Sequence, residues 1–151
     1  MSQGEPGRTA LVTGASSGIG YELTRLFAAD GWDVVLVSRS REDLEEVADE
    51  LIRGYGVEAH VFPADLSDPD AAERLYHEVT DAGHEVDALV NNAGYGSFGP
   101  FLEDDLETDR DLVTLHVTTV VTLTKLFGRD MAARGGGYVL NNASVGGWAP
   151  M

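Results

Sequence analysis

The amino-acid sequence predicts an α/β fold built on a parallel, doubly wound sheet, and three observations indicate it. Five short apolar segments alternate with segments whose apolar residues recur at helical spacing, a glycine cluster follows the first of them, and no repeat or linker divides the chain. Strands separated by helices join through right-handed crossovers and lie parallel, with helices on both faces of the sheet. We therefore predict a single domain over residues 1–151.

The first strand and the first helix occupy the beginning of the chain. Residues 9–13, TALVT, are apolar and rich in strand-forming residues, which predicts a buried strand. The helix that follows is expected to stop near Asp30 and Gly31. Its apolar side chains recur at helical spacing, at Ile19, Leu23, Leu26 and Phe27.

The second and third strands flank the second helix. They are predicted at residues 33–38, DVVLVS, and 57–62, VEAHVF. Ser40 is expected to cap the helix between them, with Asp43 three residues later. One face of that helix is apolar and carries Leu44, Val47, Ala48 and Leu51.

A third helix and a fourth strand follow. The helix in LSDPDAAERLYHEV is expected to begin at a cap formed by Ser67 or Asp68, with Pro69 in its first turn. Residues 86–90, VDALV, predict the fourth strand, and a loop rich in Gly and Pro continues from there to Pro100.

The longest helical pattern precedes the fifth strand. It runs from about residue 109 to residue 133 and is ended by RGGG. Its apolar positions are Leu112, Leu115, Val120, Leu123, Leu126, Phe127 and Met131. Residues 138–144, YVLNNAS, then predict the fifth strand.

The composition excludes several classes of function. The formal net charge is −16, from 10 Lys plus Arg against 26 Asp plus Glu, so neither nucleic acid nor an anionic membrane is an expected partner. The chain has no cysteine, and its histidines are not grouped with carboxylates at ligand spacing, so we predict no metal site. The N-terminus MSQGEPGR lacks the apolar core of a signal peptide and no segment has the length of a membrane span, so we expect a cytoplasmic protein.

The glycine cluster TGASSGIG, residues 13–20, lies where the first strand turns into the first helix. Gly14 suits a tight turn, Gly18 a close approach of the backbone to a ligand, and Gly20 the packing of the helix on the sheet. The free N–H groups and the positive dipole end of that helix suit a pyrophosphate. The alternative is a turn that uses glycine only to change direction, but the strand–helix context favours a dinucleotide.

With this cluster, the segment Asn91-Asn92-Ala93-Gly94 and the strand leading to Ser144, the chain resembles the classical short-chain dehydrogenase/reductase family, from about residue 9 to its last residue. The resemblance implies a Rossmann-like sheet with the order 3-2-1-4-5. It also implies hydride transfer between a nicotinamide cofactor and a small-molecule carbonyl or alcohol. The cofactor residues that it implies in the glycine cluster are Gly14, Ser16, Ser17, Gly18, Ile19 and Gly20.

The residues after the second strand are expected to select the cofactor. An acidic residue at this place binds the ribose 2′-hydroxyl of NAD(H), whereas this chain has Ser38 followed by Arg39 and Arg41. A guanidinium can bind a 2′-phosphate through two hydrogen bonds. The alternative is a solvated arginine at a helix start, where the dipole makes a cation slightly unfavourable. We predict NADP(H) in preference to NAD(H), through Arg39.

The resemblance implies further cofactor contacts after the third and fourth strands. Asp65 and Leu66 match the position that flanks the adenine, although an aspartate in the turn ahead of a helix is the alternative for Asp65. Asn92 and the backbone of Ala93 and Gly94 are expected to line the cofactor ribose. That role is compatible with an Asn92 side chain that also holds the sheet together.

The catalytic set that the resemblance implies is incomplete. Ser144 matches the serine that hydrogen-bonds the substrate oxygen. The Tyr-x-x-x-Lys pair, which transfers the proton and binds the ribose, is absent: none of the 5 tyrosines has a lysine four residues later, and the only lysine is Lys125. We expect this pair, and the C-terminal part of the family fold, to lie beyond the last residue, so that the chain alone is inactive.

His116 falls where the family has the asparagine of a water relay, if Lys125 is placed on the usual Thr-Lys pattern of the family. An imidazole both donates and accepts, so it could serve in the relay. The alternative is a histidine that fills a half-buried position of the helix.

The resemblance also implies a homo-oligomer interface on the long helix near residues 109–133. The loop after the Asn motif, with Tyr95, Phe98 and Phe101, suggests an apolar wall for the substrate. Three rival hypotheses remain open: a dinucleotide-binding module without catalysis, half of a split enzyme completed by a partner chain, and the unstable product of a truncated reading frame.

Overall fold

The structure, a computed structural model, describes residues 7–144. Five parallel strands form one sheet in the order β3-β2-β1-β4-β5. They are β1 Thr9–Thr13, β2 Asp33–Ser38, β3 Ala59–Pro63, β4 Ala88–Asn91 and β5 Tyr138–Asn141. The helices are α1 Gly18–Ala29, α2 Arg41–Tyr55, α3 Ala71–Asp81, α4 Leu106–Val113 and α5 Thr119–Ala133. The predicted fold class and strand order are confirmed.

The two faces of the sheet build two separate apolar cores. Successive side chains of a strand point to opposite faces. Leu11 and Leu89 therefore join the core under α3 and α5, while Val12 and Val90 join the core under α1 and α2. All four side chains are fully buried. This two-sided burial is the physical reason why the strands read as continuous apolar runs.

Helix α2 begins and ends as its sequence predicts. The Ser40 hydroxyl accepts a hydrogen bond of 3.2 Å from the N–H of Asp43, which satisfies one of the free donors of the first turn. The helix ends at Gly56, whose left-handed conformation has a φ of 73°. The predicted apolar stripe is buried along its whole length, at Leu44, Val47, Ala48 and Leu51.

The predicted start of the third helix is wrong. Helix α3 begins at Ala71 after an Asp70 cap, and not at Ser67 or Asp68. Asp68 nevertheless makes a capping type of contact, since its Oδ1 accepts a hydrogen bond from the N–H of Asp70 at 3.1 Å, and the turn from Asp68 to Ala71 precedes the helix. Pro69 consequently lies in the turn that precedes the helix.

The long helix is interrupted, which the sequence pattern did not indicate. Helix α4 begins at Leu106, earlier than the predicted residue 109, because Asp105 caps it with a bond of 3.3 Å to the N–H of Glu107. A π-helical turn, Thr114–Thr118, then joins α4 to α5 and contains His116. Such turns often accompany functional sites.

The boundaries of three strands, β3, β4 and β5, differ from prediction by a few residues, and β4 is Ala88–Asn91 where residues 86–90 were predicted. Strand β3 begins two residues later than predicted and ends at Pro63, which an edge strand tolerates. Strand β5 ends at Asn141, so Ser144 lies beyond it. The apolar residues of β5 are exposed, at 63% for Tyr138 and 43% for Val139. No helix within residues 7–144 is long and apolar enough to cross a membrane.

Candidate functional site

An open cleft lies at the carboxyl ends of β1, β2 and β4, where ligands collect in parallel sheets of this kind. Its cavity volume is about 450 Å³. The residues that line it come from the turns after the strands and from the starts of helices. They are Gly14, Ser16, Ser17, Gly18, Ile19, Val37, Ser38, Arg39, Ser40, Asp43, Ala64, Asp65, Leu66, Asn92, Ala93, Gly94, Tyr95, Leu115 and Asn142.

The start of α1 faces this cleft without a side-chain cap. Ser17 occupies the cap position in an extended conformation, with φ −159°, and its hydroxyl makes no capping bond. The N–H of Tyr21 donates to the Ser17 carbonyl, so the donors of the preceding turn are left for other acceptors. These donors and the helix dipole create a positive potential on the cleft side of the helix. An anionic group such as a phosphate fits there.

Backbone conformation accounts for Gly14 and Gly18, and close packing accounts for Gly20. Gly14 and Gly18 adopt left-handed conformations, with φ of 68° and 55°. Gly20 does not line the cleft but lies beneath it, where a Cβ atom would overlap the Gly14 carbonyl oxygen and the Asn92 amide nitrogen. Its role is therefore to bring α1 close to the sheet.

Asn92 connects three strand ends behind the glycine turn. Its Nδ2 donates to the Thr13 carbonyl at 2.9 Å, and its Oδ1 accepts from Asn142 Nδ2 at 2.9 Å. The Thr13 hydroxyl in turn accepts from the N–H groups of Asn92 and Ala93, both at 2.9 Å. The side chain thus holds the sheet together while its residue lines the cleft.

Two arginines follow β2, and they differ in environment. Arg39 lines the cleft, is exposed, and has no ion pair within the part of the chain that the structure describes. Arg41 lies outside the lining and pairs with Glu45 at 3.6 Å. Asp43 places a carboxylate on the same side of the cleft as Arg39.

Ser38, at the end of β2, is a lining residue whose hydroxyl oxygen is buried. That oxygen has no hydrogen-bond partner among residues 7–144. A buried hydroxyl without a partner carries a desolvation cost.

Asp65 both lines the cleft and shapes the turn after β3. Its Oδ1 accepts from the Ser67 N–H at 3.1 Å and from the Ser67 hydroxyl at 2.7 Å. The Asp65 side chain therefore stabilises the turn, as the alternative interpretation predicts. Leu66 is buried and forms the wall of the cleft beside it.

Besides Gly20, the predicted site residues His116 and Ser144 stand outside the lining. The His116 ring lies behind Gly94 and Tyr95, with Nε2 2.8 Å from the Tyr95 carbonyl oxygen. Ser144 is exposed and comes two residues after Asn142, which does line the cleft. Residues 145–151 lie outside the described part of the chain.

Several lining residues were not predicted from the sequence, among them Asp43, Leu115 and Asn142, whereas Tyr95 was predicted as part of a wall for the substrate. A signal existed for Asn142, because a polar residue that follows a parallel strand lies at the ligand-binding edge. No sequence signal existed for Leu115, because its position depends on the π-helical turn. Within residues 7–144, no group of three or more metal-ligating side chains lies together.

Comparison with known proteins places the whole described chain among oxidoreductases. A family model described as short chain dehydrogenase matches residues 8–151. The chain is 38% identical over 141 residues to galactitol 2-dehydrogenase (L-tagatose-forming) of Cereibacter sphaeroides, covering 93% of this chain and 54% of that one. It is 40% identical over 145 residues to an uncharacterized oxidoreductase of Mycobacterium tuberculosis, covering 93% and 42%.

A solved structure shares the fold closely. The L-sorbose reductase of Gluconobacter frateurii, complexed with NADPH and L-sorbose, superposes with a TM-score of 0.92 at 34% identity. The match covers 100% of this chain and 57% of that one. The chain thus spans about half the length of the relatives that it matches.

Proposed function

We propose that this chain, which belongs to the short-chain dehydrogenase family, forms one NADP(H)-binding domain of an oxidoreductase that interconverts a small-molecule carbonyl and an alcohol. One observation carries the proposal: the uncapped start of α1 opens onto a cleft at the carboxyl ends of the strands. Related oxidoreductases, including one in complex with NADPH, support it.

The proposed cofactor contacts follow the geometry of the cleft. The pyrophosphate would lie against Ser16, Ser17, Gly18 and Ile19, with Gly14 and Gly20 allowing the approach of helix and backbone. The adenine would lie near Asp65 and Leu66, and the ribose near Asn92, Ala93 and Gly94. When bound, the nicotinamide would supply or accept the hydride. Ser144 would donate a hydrogen bond to the substrate oxygen, as the resemblance implies, and His116 would stand at the relay position.

The preference for NADP(H) rests on Arg39. It is the one cation among the lining residues within the described chain, and no carboxylate pairs with it there. Asp43 is the opposing influence, because a carboxylate repels a 2′-phosphate. Arg39 can turn its planar guanidinium toward the phosphate, and a bidentate contact outweighs a single carboxylate that solvent screens.

The cofactor preference is tested by the Arg39→Asp variant. We expect its affinity for NADPH to fall by about 10-fold or more, because a charge-assisted contact becomes a repulsion. NADH affinity should change little. Arg41→Asp is the matched control, since Arg41 pairs with Glu45 outside the cleft. Titrations of both cofactors into both variants measure the effect. An unchanged ratio of NADPH to NADH affinity in Arg39→Asp would refute the assignment.

We further propose that the 151 residues by themselves do not turn over substrate. None of the 5 tyrosines is followed by lysine at the fourth position, so the proton-transfer pair of the family has no counterpart among them. Loss of such a pair costs several orders of magnitude in rate. Oxidation of NADPH by the purified chain across a panel of carbonyl compounds would contradict this proposal.

A second candidate function is a dinucleotide-binding half of a split enzyme, or a module without catalysis. The observation that favours it is the uncovered apolar groove between α1 and β5, lined by Leu23, Phe27, Trp32, Val139 and Leu140 among others. Another polypeptide could cover this groove. Carbonyl reduction restored by a second polypeptide carrying Tyr-x-x-x-Lys would favour the split enzyme, and cofactor binding without such a partner would favour the module.

We also propose that the chain forms a homodimer through one face of α4 and α5. Residues four apart on a helix share one face, and here that face is apolar at its centre, with Val117 55% exposed and Val121 60% exposed. An aspartate precedes this centre and a lysine follows it. From one end to the other the face carries Asp109, Val113, Val117, Val121 and Lys125. Two such helices packed antiparallel would bring opposite charges together at both ends.

A further inference from the structure

We infer that His116 is a positioning residue: its ring fixes the backbone of Gly94 and Tyr95, which forms one wall of the cleft. We call these contacts of His116 with the backbone of Gly94 and Tyr95 the lock, and they are observed directly in the structure. The effect of the lock on cofactor binding rests on the proposed function, since the wall matters to a cofactor only if the cleft binds one.

The first contact is a long-range hydrogen bond. Nε2 of His116 lies 2.8 Å from the carbonyl oxygen of Tyr95, which is 21 residues earlier in the chain. A carbonyl oxygen can only accept, so Nε2 carries the proton and donates. Tyr95 lines the cleft and His116 does not, which places the ring behind the wall as a support.

The second contact is steric and involves Gly94. A Cβ atom on Gly94 would lie 2.6 Å from Cε1 and 3.3 Å from Nδ1 of His116. The φ angle of Gly94 is outside the left-handed region, so its backbone could accept alanine. Glycine is therefore needed at position 94 because the imidazole occupies the space of a side chain.

A hydrogen bond from the neighbouring residue anchors the turn that carries the His116 ring to the opposite wall of the cleft. His116 lies in the π-helical turn Thr114–Thr118, and the next residue along, Thr119, donates from its hydroxyl to the Leu66 carbonyl at 2.8 Å. Leu66 and Leu115 both line the cleft and are buried. The start of α5 thus contacts the cleft wall after β3 through Thr119, and the adjoining turn contacts the wall after β4 through His116.

This arrangement separates two functions of the imidazole. Nε2 is engaged with Tyr95, so a proton relay could use only Nδ1, which has no hydrogen-bond partner within residues 7–144. Glutamine also offers an N–H donor to the Tyr95 carbonyl and should preserve the wall, whereas alanine offers none. A positioning role therefore predicts that His116→Gln keeps the NADPH affinity that His116→Ala loses.

The test is a double-mutant cycle with Gly94→Ala and His116→Ala, in which the thermal midpoint of unfolding and the NADPH affinity are measured for each variant. We expect His116→Ala to weaken NADPH binding about 3- to 10-fold, the effect of one lost hydrogen bond. Gly94→Ala should lower both the midpoint and the affinity in the wild-type background. It should have little further effect when position 116 is alanine, because the clash is gone.

Gly96→Ala is the matched control, since a Cβ atom there meets only the Phe98 ring, at an ordinary contact distance of 3.6 Å. His116→Gln should bind NADPH within about 2-fold of the wild type, because the donor to Tyr95 is kept. Equal effects of Gly94→Ala in both backgrounds, together with unchanged NADPH affinity in His116→Ala, would overturn the lock.

The two proposals fail in different ways. If the wild-type chain does not bind NADPH, the proposed function is wrong, while the thermal midpoints of the cycle still test the contact between His116 and Gly94. If a variant unfolds, nitrogen NMR of the His116 imidazole in the wild-type chain replaces it. A ring protonated and hydrogen-bonded at Nε2 supports the contact with Tyr95, and a ring that exchanges freely between tautomers contradicts it.

Discussion

A single side chain often has more than one role at the edge of this sheet. The Asn92 amide donates to the carbonyl of Thr13 and accepts from Asn142, so it joins residues that are distant in sequence. Asn91, next to it, donates to both Thr124 and Asn141. The two amides hold the ends of β1, β4 and β5 together, and a rigid edge keeps the cleft open for a ligand.

His84 provides a prediction at the scale of one residue. Its ring stacks on His60 with 3.9 Å between the ring centroids, and Phe62 packs edge-on against it. Burial lowers the pKa of the His84 imidazole, the neighbouring His60 lowers it further, and Glu58 opposes both. His60 itself faces Glu58 at 3.4 Å.

The sign of the pH dependence follows from this lowered pKa. The unfolded chain, with a histidine pKa of about 6.5, binds the proton more readily than the folded chain. The stabilising contribution is therefore full above that value and is lost as the pH falls below it toward the folded pKa. Urea unfolding between pH 7.5 and pH 5 should show a smaller loss of stability for His84→Gln than for the wild type.

The control for this measurement is His77→Gln on the exposed side of α3. Because acidic residues also titrate as the pH approaches 5, only the difference between each variant and the wild type is informative. Identical pH profiles for His84→Gln and the wild type would contradict the prediction.

At the residue scale, the sequence identified the glycine turn and Arg39 but did not reveal what the side chains do there. Gly20 is recognised from its spacing, whereas the Asn92 amide that fills the space above it comes from a segment more than 70 residues away. Spacing along the chain carries no information on such contacts. The support of Tyr95 by His116 was invisible for the same reason.

At the scale of elements, the buried strands were the easiest to predict. Strands β1 and β2 have the predicted ends, because both are covered on two faces and are bounded by turn residues. Boundaries differed from prediction near aspartates, because a turn at Asp68 precedes α3 and because Asp105 caps α4 earlier than predicted. The π-helical turn had no signal, because one extra residue in a turn does not alter the apolar pattern enough to be seen.

The charged face of α4 and α5 gives a prediction at this scale. In the proposed antiparallel pairing, Asp109 of one copy lies near Lys125 of the other. We expect Asp109→Lys and Lys125→Asp each to weaken the dimer about 3- to 10-fold, because a surface attraction becomes a repulsion at two symmetric places. The double variant should restore the wild-type affinity, which sedimentation equilibrium at physiological salt would measure.

Glu46→Lys on the exposed side of α2 is the control for the change in net charge. A double variant that dimerises no better than either single variant would contradict the antiparallel register. A wild-type chain that stays monomeric at high concentration would contradict self-association through this face.

For the whole molecule, the parallel sheet explains where the site lies. All strand ends that carry polar residues meet at one edge, and α1 directs its positive end toward that edge. The strongly negative net charge leaves this local positive potential as the feature that an anionic cofactor would recognise. We therefore expect the start of α1 to bind the phosphates of NADP(H).

Calorimetric titration of NADPH into the wild-type chain and into Ser17→Asp tests this claim most directly. Aspartate is a favourable residue at a helix cap, so the variant should be at least as stable as the wild type, but its carboxylate would repel a pyrophosphate. We predict saturable binding of one NADPH per wild-type chain and an affinity at least about 10-fold lower in Ser17→Asp. Absence of saturable binding to the wild type, or equal affinity in the two proteins, would contradict the claim.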